Sequence, residues 1–252
     1  MIKKSEYNLG LMVLFTIIPF FFFSQSKKAA SLTIDLHHEV NKMALVLDDS
    51  TYINSLNQSF TISKFNYYIS QVNLVKSDNE KILIKDYHFV SEEEKSTKMI
   101  KADEIPEGEY TSIEFILGVD SSANCSGVQS GDLDPIYGMF WTWNTGYIFL
   151  KLEGNSSASS ATGNTLEYHI GGYMAPTNSI RKIRLDFDST LIFDKKTKKH
   201  LDLKVKIDEL LSHPNSIDFS KDPVLNTPLQ SKKIADNYQY LFELKTGKKD
   251  VK

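Results

Sequence analysis

The chain has 252 residues, of which 41% are hydrophobic, 12% are aromatic and 24% are charged. Its formal net charge is −3, and it has no patch of interleaved basic and aromatic residues, so we expect no nucleic acid partner. The composition is that of a globular protein, and the share of aromatic residues favours β structure.

The first 26 residues have the organisation of an export signal. Lys3 and Lys4 precede an apolar run, "LGLMVLFTIIPFFFF" at positions 9–23, and "SQS" follows it. The run is shorter than the about 20 residues that a membrane-spanning helix needs, so a cleaved signal peptide is favoured over an uncleaved anchor. We therefore expect a periplasmic or secreted protein with no transmembrane domain after signal cleavage, consisting of a single domain over residues 27–252.

Most of the remaining chain alternates between apolar and polar residues, as β-strands do. In "LTIDLHHEV", residues 32–40, this alternation places His38 on the apolar face and His37 on the polar face. Asp78 and Asn79 separate two alternating runs within residues 59–91 and predict a hairpin turn. Further strands are predicted over residues 108–120, 140–153, 164–173, 179–190 and 200–210.

The longest stretch with helical spacing lies near the C-terminus. In "SKKIADNYQYLFEL", residues 231–244, apolar residues recur at that spacing and Ser231 is in position to cap the helix. Strands separated by turns, followed by one helix, predict an all-β fold: an antiparallel β-sandwich with long loops and a short C-terminal helix.

No pattern in the sequence nominates an enzyme. There is no nucleophile elbow, Walker glycine loop, dinucleotide fingerprint or local Cys/His pairing. The single cysteine, Cys125, lies in a polar loop and cannot form an internal disulfide. We therefore expect a non-catalytic protein.

Both tryptophans of the chain lie in "GMFWTWNTGYIFLKLEG", residues 138–154. Strand alternation would place Met139, Trp141 and Trp143 on one face. That face is either part of a sandwich core, because Trp and Met bury well, or an oxidisable wall beside a reactive site. A second notable stretch is "LEYHIGGY", in which two glycines after His169 let another backbone or a ligand come close.

The loop "GVDSSANCSGVQSGDLDP", residues 118–135, is rich in acidic and small residues. Oxygen ligands from such a loop suit calcium, although the spacing is not that of an EF-hand. The same residue types are also ordinary in turns. The candidate calcium ligands are Asp120, Asn124, Asp132 and Asp134.

Four segments occur together, in this order, in one known family. They are "YYIS" from residue 67, "FILGVDSSANCSG" with "GDLDPIYGMFWTWNTGYIFLKLEG" within residues 115–154, "YHIGGY" at residues 168–173 and "IADNYQYLF" at residues 234–242. The chain thus resembles the MbnP-like family of exported bacterial proteins, named after a protein associated with the copper-chelating peptide methanobactin. The resemblance extends over residues 32–244.

This resemblance implies a periplasmic copper-binding β protein, partnered by a di-haem cytochrome c peroxidase-like enzyme that oxidises a tryptophan to kynurenine. The implied copper site consists of His38, His169 and Trp141 or Trp143, with Met139 as a further donor. Imidazole suits both copper oxidation states, and a thioether favours Cu(I).

Two functions are open on this evidence. The first is an exported copper-binding protein in which a histidine of "DLHHEV", His169 and an indole lie within a few ångströms of one another. Alternation makes that histidine His38, and the other register of the strand would make it His37. The second is an exported β-sandwich that binds a protein or polymer partner without a transition metal. In that case the Trp and Met face is core, and calcium or internal hydrogen bonds stabilise the Asp-rich loop.

Overall fold

Two β-sheets packed face to face form the protein, as the computed structural model of the chain describes it over residues 29–141 and 146–245. The predicted β-sandwich is therefore confirmed. The predicted signal peptide, residues 1–26, and Trp143 lie outside the described residues. No helix within the described ranges is long and apolar enough to cross a membrane.

The secondary structure consists of short helices and mostly long strands. The strands are β1 (Ser31–Val40), β2 (Met43–Ala44), β3 (Tyr52–Ile53), β4 (Ser59–Lys76), β5 (Lys81–Ser91), β6 (Met99–Asp103), β7 (Gly108–Leu117), β8 (Phe140–Trp141), β9 (Gly146–Asn155), β10 (Thr165–Gly171), β11 (Arg181–Phe193), β12 (Lys198–Lys206), β13 (Val224–Leu225) and β14 (Phe242–Leu244). The α-helices are α1 (Ser121–Cys125), α2 (Ile207–Ser212), α3 (Pro228–Ala235) and α4 (Tyr238–Leu241).

The small sheet has five strands in the order β14-β12-β1-β2, and β6 also pairs with β1. Strand β1 alternates as predicted: its even-numbered residues from Leu32 to Val40 are buried, and His37 is exposed. It pairs with β12 in parallel and with β6 antiparallel. The sheets are thus mixed rather than purely antiparallel, because strands far apart in the sequence are not joined by a hairpin that fixes their relative direction.

The large sheet has nine strands, with β11-β7-β4-β9-β10-β13 as its main order. Its central strand β4 forms the predicted hairpin with β5, and Asn79 in the turn has a positive φ of 70°. One face packs against the small sheet and forms the main core. Residues that belong to this core include Phe65, Tyr67, Leu150, Leu152, Leu166, Tyr168 and Ile170 from the large sheet.

The opposite, outer face of the large sheet is also buried over part of its area. Adjacent residues on one strand divide between two separate clusters: Tyr67 belongs to the main core and Tyr68 to a second cluster on the outer face. The loop between β7 and β8 covers this outer face. Members of the second cluster are Tyr68, Phe89, Val119, Ala123, Leu133, Met139, Trp141, Tyr147, Ile148 and Phe149.

The single strand predicted over residues 140–153 is a hairpin instead. Phe140 pairs with Tyr147 and Trp141 with Gly146, antiparallel, so the chain reverses direction between β8 and β9. Apolar and aromatic residues continue through both arms, and for this reason the sequence pattern did not reveal the reversal.

The helix predicted over residues 231–244 is also divided. Helix α3 begins earlier, after an N-cap position at Thr227, and Ser231 lies inside it. The helical path breaks at the buried Asn237, whose side-chain amide donates to the carbonyl oxygens of Leu210 and Asn215, both at 2.8 Å. Beyond α4, Phe242 joins the small sheet opposite Val205, because pairing and core burial outweigh the helical spacing of the sequence.

Candidate functional site

His169 lies on the outer face of the large sheet. Along β10, Leu166, Tyr168 and Ile170 are buried in the main core, whereas Glu167 and His169 alternate with them and face outward. His169 is opposite Lys151 on β9, and Lys151 is opposite Asn66 on β4. A row of three polar side chains therefore crosses this face. The Oδ1 atom of the buried Asn66 has no hydrogen-bond partner among the described residues.

Trp141 packs directly on the strand that carries His169. A Cβ atom added to Gly171 would lie 2.7 Å from Cζ3 and 2.9 Å from Cη2 of Trp141, and 2.6 Å from the carbonyl oxygen of Tyr147. Only a glycine leaves room for this contact. The close approach that the glycines after His169 predict is thus made by an indole, which is 5% exposed.

Hydrogen bonds from β9 also hold the rest of the segment of residues 138–141, which precedes Trp141, over the sheet. Lys151 donates from Nζ to the carbonyl oxygen of Gly138 at 2.6 Å, and the carbonyl oxygen of Met139 accepts from the amide of Ile148 at 2.9 Å. Lys151 is the register partner of His169. The segment consequently runs from above this pair to above Gly171, with the fully buried Met139 between them.

The imidazole of His169 lies between two carboxylates. Its Nε2 atom is 2.7 Å from Oε1 of Glu153, and its Nδ1 atom is 3.5 Å from Oε1 of Glu167. The hydrogen bond to His169 lowers the pKa of Glu153, and Lys151 adds to this effect. Burial lowers the pKa of Lys151. The side chain of His169 is 16% exposed, and the two carboxylates lie at opposite nitrogens of its ring.

His38 lies on the other side of the large sheet, in the core between the two sheets. Its ring packs edge-on against Phe65, with the centroids 5.0 Å apart. Its Nδ1 atom is 2.5 Å from Oε2 of Glu92, and its Nε2 atom is 2.9 Å from the hydroxyl of Tyr67. Burial lowers the pKa of His38, so the ring is neutral: Nδ1–H donates to Glu92, and the Tyr67 hydroxyl donates to Nε2.

Glu92 completes a hydrogen-bonded chain from the core to the surface. Burial alone would raise the pKa of Glu92, but hydrogen bonds from His38 and Lys98 outweigh it and hold that pKa below its usual value. The Lys98 Nζ atom is 2.8 Å from Oε1 of Glu92. Both ring nitrogens of His38 therefore have partners that account for its burial.

The residues that the resemblance implies as copper ligands do not form one group. His38 faces the main core, and His169 faces outward from the opposite side of the large sheet. Met139 and Trp141 belong to the outer cluster and therefore share a side of the sheet with His169. Any metal bound near His169 must take its remaining ligands from this side.

Two of the candidate calcium ligands are helix-capping residues. Asp120 accepts from the amide of Ala123 at 3.0 Å and from the hydroxyl of Tyr87 at 2.6 Å. Asp134 accepts from the amide of Ile136 at 2.9 Å. These are the bonds that Asp makes in turns and at helix N-termini.

The other two candidates also have protein partners. Asp132 forms an ion pair with Lys85 at 2.9 Å. The buried Asn124 donates to the carbonyl oxygen of Val119 at 2.8 Å and accepts from the amide of Tyr147 at 2.9 Å. The four side chains stabilise the loop through separate bonds, and the carboxylates of Asp120, Asp132 and Asp134 do not form a common metal-type group.

One cluster of ligand types was not predicted from the sequence. Within residues 29–141 and 146–245, ligand atoms of Asp35, His200 and Asp202 all lie within 4.8 Å of one another, on the small sheet. Strand alternation could place each of these residues on a polar face. It could not show that β1 and β12 are neighbours.

The comparisons with known proteins agree with the architecture. The profile of a family described as MbnP matches residues 29–229. The solved structure of MbnP from Methylosinus trichosporium is similar, with a TM-score of 0.52 and 15% sequence identity, over 75% of this chain and 79% of that chain. At this identity the structural likeness shows the fold alone. No curated protein matches the chain.

Proposed function

The chain belongs to the MbnP family, and from this premise we propose that it is an exported, non-catalytic copper-binding protein of the periplasm or cell envelope. The observation that carries the proposal is the arrangement on the outer face of the large sheet. There the imidazole of His169 lies between two carboxylates, on the strand against which Trp141 packs.

His169 and Glu153 are the residues that would hold the copper ion, and Glu167, at the other ring nitrogen, would orient the imidazole. Imidazole nitrogen and carboxylate oxygen together suit Cu(II). The ion would replace the proton between Nε2 of His169 and Glu153. His38 is left out of this ligand set because its nitrogens bind Glu92 and Tyr67 on the other side of the sheet.

Trp141 is the residue that we propose to be converted to kynurenine. Cleavage of the indole C2–C3 bond inserts two oxygen atoms, and hydrolysis then releases formic acid, so the residue gains one oxygen and loses one carbon overall. A di-haem peroxidase-like partner using hydrogen peroxide would supply the oxidation. Because the indole is 5% exposed, the oxygen donors that reach it would be small molecules, and the product would offer an aromatic amine on the side of the sheet that carries His169.

The test is made on protein purified from its native host. We expect a peptide containing residue 141 to show the mass change of kynurenine. Copper is titrated in a His200→Ala background, which disrupts the separate cluster of Asp35, His200 and Asp202, and there we expect His169→Ala to weaken copper binding at least tenfold. His213→Ala is the matched control, because His213 is exposed and packs edge-on against Tyr240 instead. Unmodified tryptophans together with equal copper affinity with and without His169→Ala in that background would rule the proposal out.

A second function is favoured by the extent of burial at the same residues. Met139 is fully buried, Trp141 is nearly so, and the four polar candidates of the Asp-rich loop all have protein partners. These features suit an exported β-sandwich that binds a protein or polymer partner without a transition metal. Absence of copper binding and of tryptophan oxidation in the experiment above would support this function.

A further inference from the structure

Two histidines and two aspartates meet on the outer face of the small sheet, away from His169. Asp35 and His37 are on β1, and His200 and Asp202 are on β12. We refer to these four residues as the β1–β12 cluster. Their side chains are between 24% and 49% exposed, so an ion can reach them from solvent.

The parallel pairing of β1 with β12 brings the four residues together. Asp35 is directly beside Asp202, and Thr33 is beside His200. Alternate residues of a strand share a face, so the cluster occupies the outer side while residues such as Leu36 and Val205 face the core. Two carboxylates side by side repel each other unless a positive charge lies between them.

Among Asp35, His200 and Asp202, the distances between ligand atoms are close to those around a tetrahedral metal ion. Oδ1 of Asp202 is 2.7 Å from Nε2 of His37 and 3.4 Å from Nε2 of His200. Oδ2 of Asp35 is 3.3 Å from the same nitrogen of His200. A zinc ion about 2.0–2.1 Å from each of four ligands holds its donor atoms roughly 3.3 Å apart.

The charged groups beside the cluster leave room for a cation. Lys204 follows Asp202 on the same face, but it forms an ion pair with Glu243 on β14 at 3.2 Å. On the other flank, Lys101 of β6 is opposite Thr33 rather than opposite the aspartates. The two carboxylates thus lie beside the imidazole of His200, which can bind a metal ion as a nitrogen ligand.

We propose that the β1–β12 cluster binds one divalent transition-metal ion through the imidazole of His200 and the carboxylates of Asp35 and Asp202, with His37 hydrogen-bonded to Asp202 beside them. Zinc fits this ligand set and geometry, and Cu²⁺ would bind such a set at least as tightly. The site is on a different sheet from His169 and uses none of the residues of the proposed copper site. It therefore stands independently of the proposed function.

Zinc binding to the purified protein provides the test. All variants carry Cys125→Ser, since Cys125 is an exposed free thiol that could bind zinc itself. Zinc is titrated against a chromophoric chelator for this parent and for His200→Ala and Asp202→Asn, with His213→Ala as the matched control. We expect each cluster variant to bind zinc at least tenfold more weakly, and the control to stay within about twofold of the parent.

Two further measurements make the result decisive. Circular dichroism and the thermal midpoint, both measured in chelator, establish that each variant is folded, and Asp35→Asn replaces any variant that is not. Anomalous scattering at the zinc edge should place the ion among Asp35, His200 and Asp202. Equal zinc affinity in parent and cluster variants, or an anomalous peak elsewhere, would overturn the proposal. A loss of zinc binding in His169→Ala but not in His200→Ala would do the same, and would assign the zinc to the outer face of the large sheet.

Discussion

Replacing Gly171 by alanine should displace Trp141 and destabilise the protein. The added Cβ atom would lie 2.6 Å from the Tyr147 carbonyl oxygen and 2.7 Å from the Trp141 ring. The carbonyl is fixed by the backbone, so the indole must move. Alanine reduces the entropy of the unfolded chain and gains about 0.4–1 kcal/mol, whereas overpacking costs about 1–3 kcal/mol. We therefore expect a net loss of about 1–2 kcal/mol.

Urea denaturation followed by tryptophan emission measures both the loss of stability and the displacement of the indole. A loss of 2 kcal/mol lowers the melting temperature by about 4–8 °C for a domain of this size, and the native emission should shift to longer wavelength as the indole leaves its packed position. Gly154→Ala is the matched control, because its Cβ atom would clash with the Thr61 carbonyl oxygen at 2.0 Å, toward the other end of β9. The control should destabilise the fold without changing native emission. Unchanged stability and emission in Gly171→Ala would refute the packing of Trp141 on β10.

Two further predictions concern His38. His38→Ala should lower the free energy of unfolding by about 3 kcal/mol, since it leaves a cavity and deprives Glu92 and Tyr67 of their hydrogen-bond partner. The measurement is urea denaturation in the presence of a chelator. The control, His37→Ala at an exposed position, should lower the free energy of unfolding by less than about 0.5 kcal/mol. Because burial lowers the pKa of His38 in the folded state, the unfolded chain takes up the proton first, and stability should fall as the pH drops below about 6.5. Unfolding measured from pH 7.5 to 5 should show a smaller decrease in His38→Gln than in the wild type, and equal slopes would contradict the assignment of a neutral His38.

The strands were predictable wherever one of their faces is buried and the other is not. In β1 the alternation correctly placed His38 inward and His37 outward, because a shift of one residue would exchange the two faces. The turn at Asn79 was equally clear. Around β8 and the first half of β9 both faces of the large sheet are buried, so the apolar pattern is nearly continuous and did not reveal the reversal between the two strands.

The arrangement of the sites depended on pairings that no local pattern encodes. Alternation assigns His38 and His169 each to a face of its own strand, but it does not say which of those faces meets the other sheet. The sequence therefore did not show that the large sheet separates the two histidines. Equally, Asp35 and Asp202 were visible as polar strand residues, and only the parallel pairing of β1 with β12 makes them neighbours.

That same pairing determines the order in which the protein can assemble. One edge of β1 pairs with β6, which is near it in the sequence. The other edge pairs with the distant β12, where Ser31 is opposite Lys198 and Glu39 is opposite Lys206, so this edge stays unpaired until β12 is present. Closing so long a stretch of chain is slow, and contacts of this kind reduce folding rates. A chain that emerges from its N-terminus first therefore keeps one side of its first strand open until β12 has followed. The small sheet is completed late, when the large sheet already has most of its strands.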